Sequence, residues 1–225
     1  MAGNFGRALA CAALLGTLAL AGPAAATHLI YVTYTGTATG IQDPNGMFGT
    51  PQMNFSAPYV DRYVFDLDVG LRNTTATYDQ LLGGSTWGTA TPALDSALTI
   101  NGHTVHFSGG ATGQQFNQLG SFTESYAIQF DALGRWTMNF NNIHVGAPLA
   151  LGTPFSASGT GSGNFFICNF QPGGCKPEPA ILQGRLSPDT VTVSVPEPGV
   201  WTLMILGLAS LGAALRRRRV GYRLA

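Results

Sequence analysis

Charge is what this sequence has least of. Only 10% of its 225 residues are Asp, Glu, Lys or Arg, against roughly 25% in an ordinary soluble domain. A single lysine, Lys176, stands among them. That scarcity excludes the Lys- and Glu-rich helical proteins of the cytosol. A nucleic-acid binder is excluded too, because the formal net charge is zero and no basic stripe crosses the middle of the chain. Long helical periodicity and internal repeats are missing. So are G-x-S-x-G, H-E-x-x-H and a Gly-rich phosphate loop. Between residues 27 and 195 only two glutamates occur, Glu124 and Glu178, the second set between prolines. That is thin provision for the paired carboxylates of a glycosidase. The expectation is a protein that is not an enzyme and needs no cofactor.

The charge that is present is segregated. Residues 27–195 carry a net −5, whereas residues 196–225 carry +4. Arg7 supplies the rest and precedes an uncharged apolar run, Ala8 to Ala21, followed by Gly22-Pro23-Ala24-Ala25-Ala26. A basic start, a short apolar stretch and an A-x-A site read as a secretory signal peptide over 1–26, cut after Ala26 by signal peptidase, with Ala24 and Ala26 as its recognition residues. The run would be roughly 21 Å long as a helix, short for a membrane span. Cys11 would leave with it.

At the other end, residues 199–215 are uncharged, about 25 Å as a helix, and at the short limit for spanning a bilayer. Pro196-Glu197-Pro198 bars the helix from starting earlier. Trp201 sits one turn in, where an indole prefers the interface, and Arg216-Arg217-Arg218-Arg219 holds the far end in the cytoplasm by the positive-inside rule. Residues 27–195 are then expected outside the inner membrane, with 220–225 as a short cytoplasmic tail. Over Val195 to Arg219 this arrangement resembles the PEP-CTERM sorting signal of exported proteins of Gram-negative bacteria. The resemblance implies export by the general secretion machinery, a transient anchor in the inner membrane, and processing by an exosortase near Pro196, Glu197 and Pro198. The arginines would act as stop-transfer. Delivery to the cell surface or extracellular space would follow, whether by release or by attachment.

The middle reads as all-β. Apolar residues alternate with polar ones, and Gly, Asn, Pro and Ser separate the runs. Tyr63, Phe65, Leu67 and Val69 share a face opposite Arg62, Asp66 and Asp68. Tyr126, Ile128 and Phe130 share one, as do Trp136, Met138 and Phe140, which reads as a core series. After Asn141-Asn142 the apolar series resumes out of phase at Ile143 and Val145, predicting a bulge. Asn101-Gly102 predicts a two-residue hairpin that pairs Ile100 with His103 and Leu98 with Val105, sending Leu98, Ile100, Val105 and Phe107 inward. A second hairpin is expected at Asp131 to Gly134. The last alternating strand, Val191 to Val195, runs into the sorting signal. A single antiparallel β-sandwich, jelly-roll-like, is the predicted architecture, with a β-barrel as the alternative.

Candidate chemistry within 27–195 is sparse. Cys168 and Cys175 enclose six residues and suit neither a metal pair nor a redox pair, so in an oxidising compartment they read as a disulfide. His103 and His106 would point to opposite faces of a strand, and with His28 and His144 they read as solvated rather than metal-ligating. Asp66 and Asp68, with Asp61 nearby, read as a solvated acidic face rather than a calcium site. Tyr31, Tyr59, Tyr78, Trp87 and Trp136 are candidate sugar-stacking rings. Only Trp87, in Gly83-Gly84-Ser85-Thr86-Trp87-Gly88, has a setting that suggests an exposed loop and a ligand contact. The functional expectation is a structural or adhesive surface or matrix protein associated with exopolysaccharide or biofilm. A carbohydrate-binding module and a polysaccharide-active enzyme are the alternatives.

Overall fold

The computed structural model describes residues 28–130, 134–171, 174–175, 181–196 and Gly207. The strands are β1 (Leu29–Asp43), β2 (Gln52–Asp66), β3 (Leu71–Thr74), β4 (Tyr78–Gly83), β5 (Ala93–Ile100), β6 (His103–Phe107), β7 (Thr112–Gln118), β8 (Phe122–Phe130), β9 (Arg135–His144), β10 (Phe155–Ser158), β11 (Thr160–Gln171), β12 (Gly174–Cys175) and β13 (Leu182–Ser194). A 3-10 turn, Ser85–Trp87, follows β4. Their composition explains them: β-branched and aromatic residues alternate with small polar ones, and turns fall where Gly or Asn takes positive φ. At the predicted hairpin Asn101 has φ 53° and Gly102 φ 79°. The pairs Ile100↔His103, Leu98↔Val105 and Ala97↔His106 form as expected, and Leu98, Ile100, Val105 and Phe107 are buried. The β8–β9 hairpin forms as well, with Phe130 opposite Trp136; residues 131–133 of its turn lie outside the described residues.

The all-β expectation holds, but the two-sheet sandwich does not. The strands join one antiparallel sheet in the order β3-β4-β7-β8-β9-β11-β13-β1-β2-β5-β6, with β10 on β13 and β12 on β11. It curls into a half-barrel, nearer the barrel alternative. The physical reason is the length of β1, β2 and β13. Each runs for 13–15 residues, and register shifts at Thr35/Gly36, Thr39/Gln42 and Ala38/Ile41 bend them without breaking the ladder. The curl brings β5 and β6 back over β7, β8 and β9. Gly113 permits this closeness, since a Cβ there would lie 2.6 Å from Ala93 Cβ.

The concave side holds the core. Val32, Tyr34, Tyr63, Phe65, Leu98, Ile100 and Phe165 are fully buried, with Tyr34 edge-on to Tyr63 at 5.9 Å and Tyr63 stacked on Phe65. Strands β8 and β9 correct the sequence reading. Their inward residues are Thr123, Ser125, Ala127, Asn139 and Asn141, all buried, while the series Trp136-Met138-Phe140 and Tyr126-Ile128 is only partly buried on the convex face. The expected bulge after Asn141-Asn142 is absent, for β9 runs in continuous register with both neighbours from Trp136 to His144. Apolar character changes face along β9 because Asn139 and Asn141 occupy inward positions, not because the backbone slips.

Candidate functional site

The buried asparagines belong to a polar network that crosses the core. Asp61, on β2, shares the parity of Tyr63 and Phe65 and is fully buried, so the solvated reading fails for Asp61, while Asp68 is exposed. Its Oδ2 accepts from Asn139 Nδ2 at 2.7 Å and from Asn141 Nδ2 at 2.6 Å. Asn139 Nδ2 also donates to Ser96 Oγ on β5, and Tyr59 donates to Asn141 Oδ1. Tyr34, Ser125, Gln115, Thr123 and Asn117 form a second buried chain of hydrogen bonds through β1, β8 and β7. Asp61 Oδ1 and Asn139 Oδ1 have no hydrogen-bond partner among the described residues. Burial pushes the Asp61 carboxyl up to about 7, against the pull of the Asn139, Tyr63 and Asn141 hydrogen bonds. Its neighbours therefore meet a group that readily holds a proton.

The convex face of β7, β8, β9 and β11 carries the large rings. Tyr78, Phe116, Phe122 and His144 form a run with centroids 5.3–5.8 Å apart. Tyr126 meets Phe140 edge-on at 5.8 Å, and Trp136 meets Phe130 and Phe166 at 6.0 and 5.1 Å. Between these rings sits Glu124, whose Oε1 accepts from Gln114 Nε2 at 2.8 Å and whose Oε2 accepts from Asn142 Nδ2 at 3.5 Å. Burial among the rings raises its carboxyl above the usual range, opposed by those two amides. Gln114, Glu124, Tyr126, Met138, Phe140 and Asn164 line a depression of about 350 Å³. A larger one, about 510 Å³, lies over β11, β13 and β1 and is lined by Asn164, Phe166, Gln183, Arg185, Thr39 and Gln42. Asn164 belongs to both. The sequence reading placed the series Trp136-Met138-Phe140 in the core, offering Trp136 only as one of several candidate stacking rings, and so did not single out this face; the amides and Glu124 at alternating positions were the signal available.

The residues singled out from sequence are dispersed. Trp87 is 49% exposed on the 3-10 turn, which is hydrogen-bonded through Ser85 and Thr86 to Gly110 and Ala111. Tyr59 is buried and Tyr31 stacks beneath Arg62 at 4.0 Å. Asp68 lies beyond the end of β2, where its N–H bonds Asp66 Oδ1 and its carboxylate meets His28 at 2.9 Å, so Asp66 and Asp68 do not share a strand face. His106 pairs with Asp95 at 2.9 Å, on the strand face away from His103. Among the described residues no three His, Cys, Asp or Glu side chains gather as a metal site.

Cys168 is buried, and β12 sets the Cys175 backbone opposite Phe170; the Cys175 side chain lies outside the described residues. So do the expected signal peptide over 1–26 with Ala24 and Ala26, Glu197 and Pro198, the apolar run 199–215 apart from the helical Gly207, Arg216 to Arg219, and the tail 220–225. Among the described residues no helix is long and apolar enough to cross a membrane. Strand β13 ends at Ser194, and Val195 and Pro196 leave the sheet unpaired with other strands.

A family model of the PEP-CTERM protein-sorting motif matches residues 194–219. The chain thus carries the signal of an exosortase-targeted, exported protein, beginning at the residue where β13 ends. Comparison with curated proteins and with solved structures finds no match.

Proposed function

We propose that this is a non-enzymatic surface or matrix protein, structural or adhesive, that works beside exopolysaccharide in a biofilm. In this reading a C-terminal helix anchors the chain in the inner membrane, cytoplasmic end inward, until an exosortase cuts near Pro196, Glu197 and Pro198. The observation that carries it is the abrupt boundary at Ser194: a motif matched from residue 194 abuts the end of a strand held there between β1 and β10. A cut there would leave the sheet whole. Pro196 cannot donate to a ladder and keeps the chain extended toward a protease. The disulfide Cys168–Cys175 is part of the same proposal; the tight β11–β12 return and the oxidising destination favour it.

Intact mass of the chain from the medium and from membranes of its own cells tests this reading. The released form should begin at Thr27, end near Pro196 to Pro198, and weigh two hydrogens less than its reduced form. Replacing Pro196, Glu197 and Pro198 together by Ala should retain the chain in the inner membrane. Release of that variant with an unchanged C-terminus would overturn the sorting reading.

A further inference from the structure

We infer that the convex face over β7, β8, β9, β11, β13 and β1 is a binding trough for a neutral polysaccharide, laid across the strands and centred on Asn164. This rests on the adhesive reading above and gives it a ligand class and a site.

Three observations carry it. The first is continuity. Register places Gln114, Tyr126, Phe140, Asn164, Arg185 and Thr39 in one line across six strands. The two depressions meet along that line at Asn164. Five strand spacings of ~4.8 Å make the trough roughly 24 Å long, the reach of an extended oligomer rather than a single small molecule.

The second is the alternation of chemistry. Tyr126, Phe140 and Phe166 supply apolar ring surface. Gln114, Glu124, Asn164 and Gln183 stand between them with donors and acceptors. Sugars present the same pair of demands, C–H faces that pack on rings and hydroxyls that both give and accept hydrogen bonds. Glu124 is already braced by Gln114, and Gln183 donates to Gln42 at 2.7 Å, so these polar groups are held in place before a ligand arrives. An apolar peptide or a second copy of this face would bury these amides and the carboxylate against rings, at a cost.

The third is charge. The trough has one carboxylate, Glu124, toward one end and one guanidinium, Arg185, toward the other. No field of one sign runs along it, so a polyanion gains little, and Glu124 opposes it directly.

The test uses the full-length chain in a non-glycosidic detergent. It is run through native gels containing hydroxyethylcellulose, laminarin or galactomannan, and through alginate as the polyanion. The proposal expects retardation in at least one neutral gel, weakened at least tenfold by Tyr126→Ala and by Asn164→Ala, and unaffected by Trp87→Ala. Thermal melting of each variant identifies any that fails to fold, and Asn164, partly exposed on the sheet surface, provides the gentler substitution. Migration unchanged in all three neutral gels overturns the proposal. So does retardation in alginate alone, retardation that survives both trough variants, or loss of retardation with Trp87→Ala. Dimerisation abolished by the trough variants, without retardation, assigns the face to a second copy instead. Binding is measured on purified chain and export on the Pro-Glu-Pro variant, so either reading can fail while the other stands.

Discussion

Asp61 is the residue whose environment differs most from its sequence appearance. A buried carboxyl with two amide donors and no cation favours its protonated form. The folded chain therefore holds a proton between about pH 4 and pH 7 that the unfolded chain has released. Stability should be greatest at the acid end of that window, fall as pH rises through it by up to ~1.4 kcal/mol per unit, and level off above. Asp79 acts in the opposite sense. Its burial is outweighed by hydrogen bonds from Arg72, Thr74 and the Leu151 N–H, which hold it below the usual carboxylate range; its contribution is present above the unfolded value and lost in acid. Asp61→Asn keeps the acceptor for Asn139 and Asn141 and replaces Oδ1 with a donor. Its urea midpoint should exceed that of the wild type at pH 8, and the gap should close toward pH 4.5. Parallel profiles for the two proteins would refute this account. The parity of Asp61 with Tyr63 and Phe65 was legible in the sequence. Its partners were not, because Asn139 and Asn141 arrive from a strand 78 and 80 residues away.

Among the elements, the β5–β6 hairpin was readable to the residue pair because its turn chemistry is local: Asn-Gly fixes the register and the register fixes the faces. The β8–β9 pair was readable as strands but not as faces. Alternation shows which residues lie together, and in most sheets the larger, more apolar set turns inward. Here the small amides and hydroxyls turn inward to meet Asp61 and Tyr59, and the rings turn out. The candidate site was missed for the same reason. Strand β11 depends on a different feature, a close approach to β9. A Cβ on Gly161 would collide with the Asn142 carbonyl oxygen and come within 2.6 Å of Pro188 Cγ and 2.9 Å of Ile143 Cα. Gly161→Ala should cost about 1–3 kcal/mol through overpacking, seen as a lowered melting temperature. Gly146→Ala, with nothing within 4 Å of the added methyl, should melt like the wild type.

For the whole molecule, the sequence conveyed class but not closure, since whether strands form one sheet or two depends on how long strands bend. The placement of β13 between β1 and β11 makes the end of the domain essential to it. A chain of residues 27–195 should melt cooperatively, whereas residues 27–181, lacking β13, should not; circular dichroism on heating distinguishes them. That placement also has a mechanical side. Antiparallel hydrogen bonds lie perpendicular to their strands, so a pull on Val195 along β13 loads the ladders to β1, β10 and β11 in shear, many bonds at once. A pull at Asn101-Gly102 would instead peel β6 from the edge one bond at a time. If the domain is tethered through its C-terminal end, single-molecule extension from Val195 should require a markedly higher rupture force than extension from residue 101, and the domain would hold its shape under the drag of moving water.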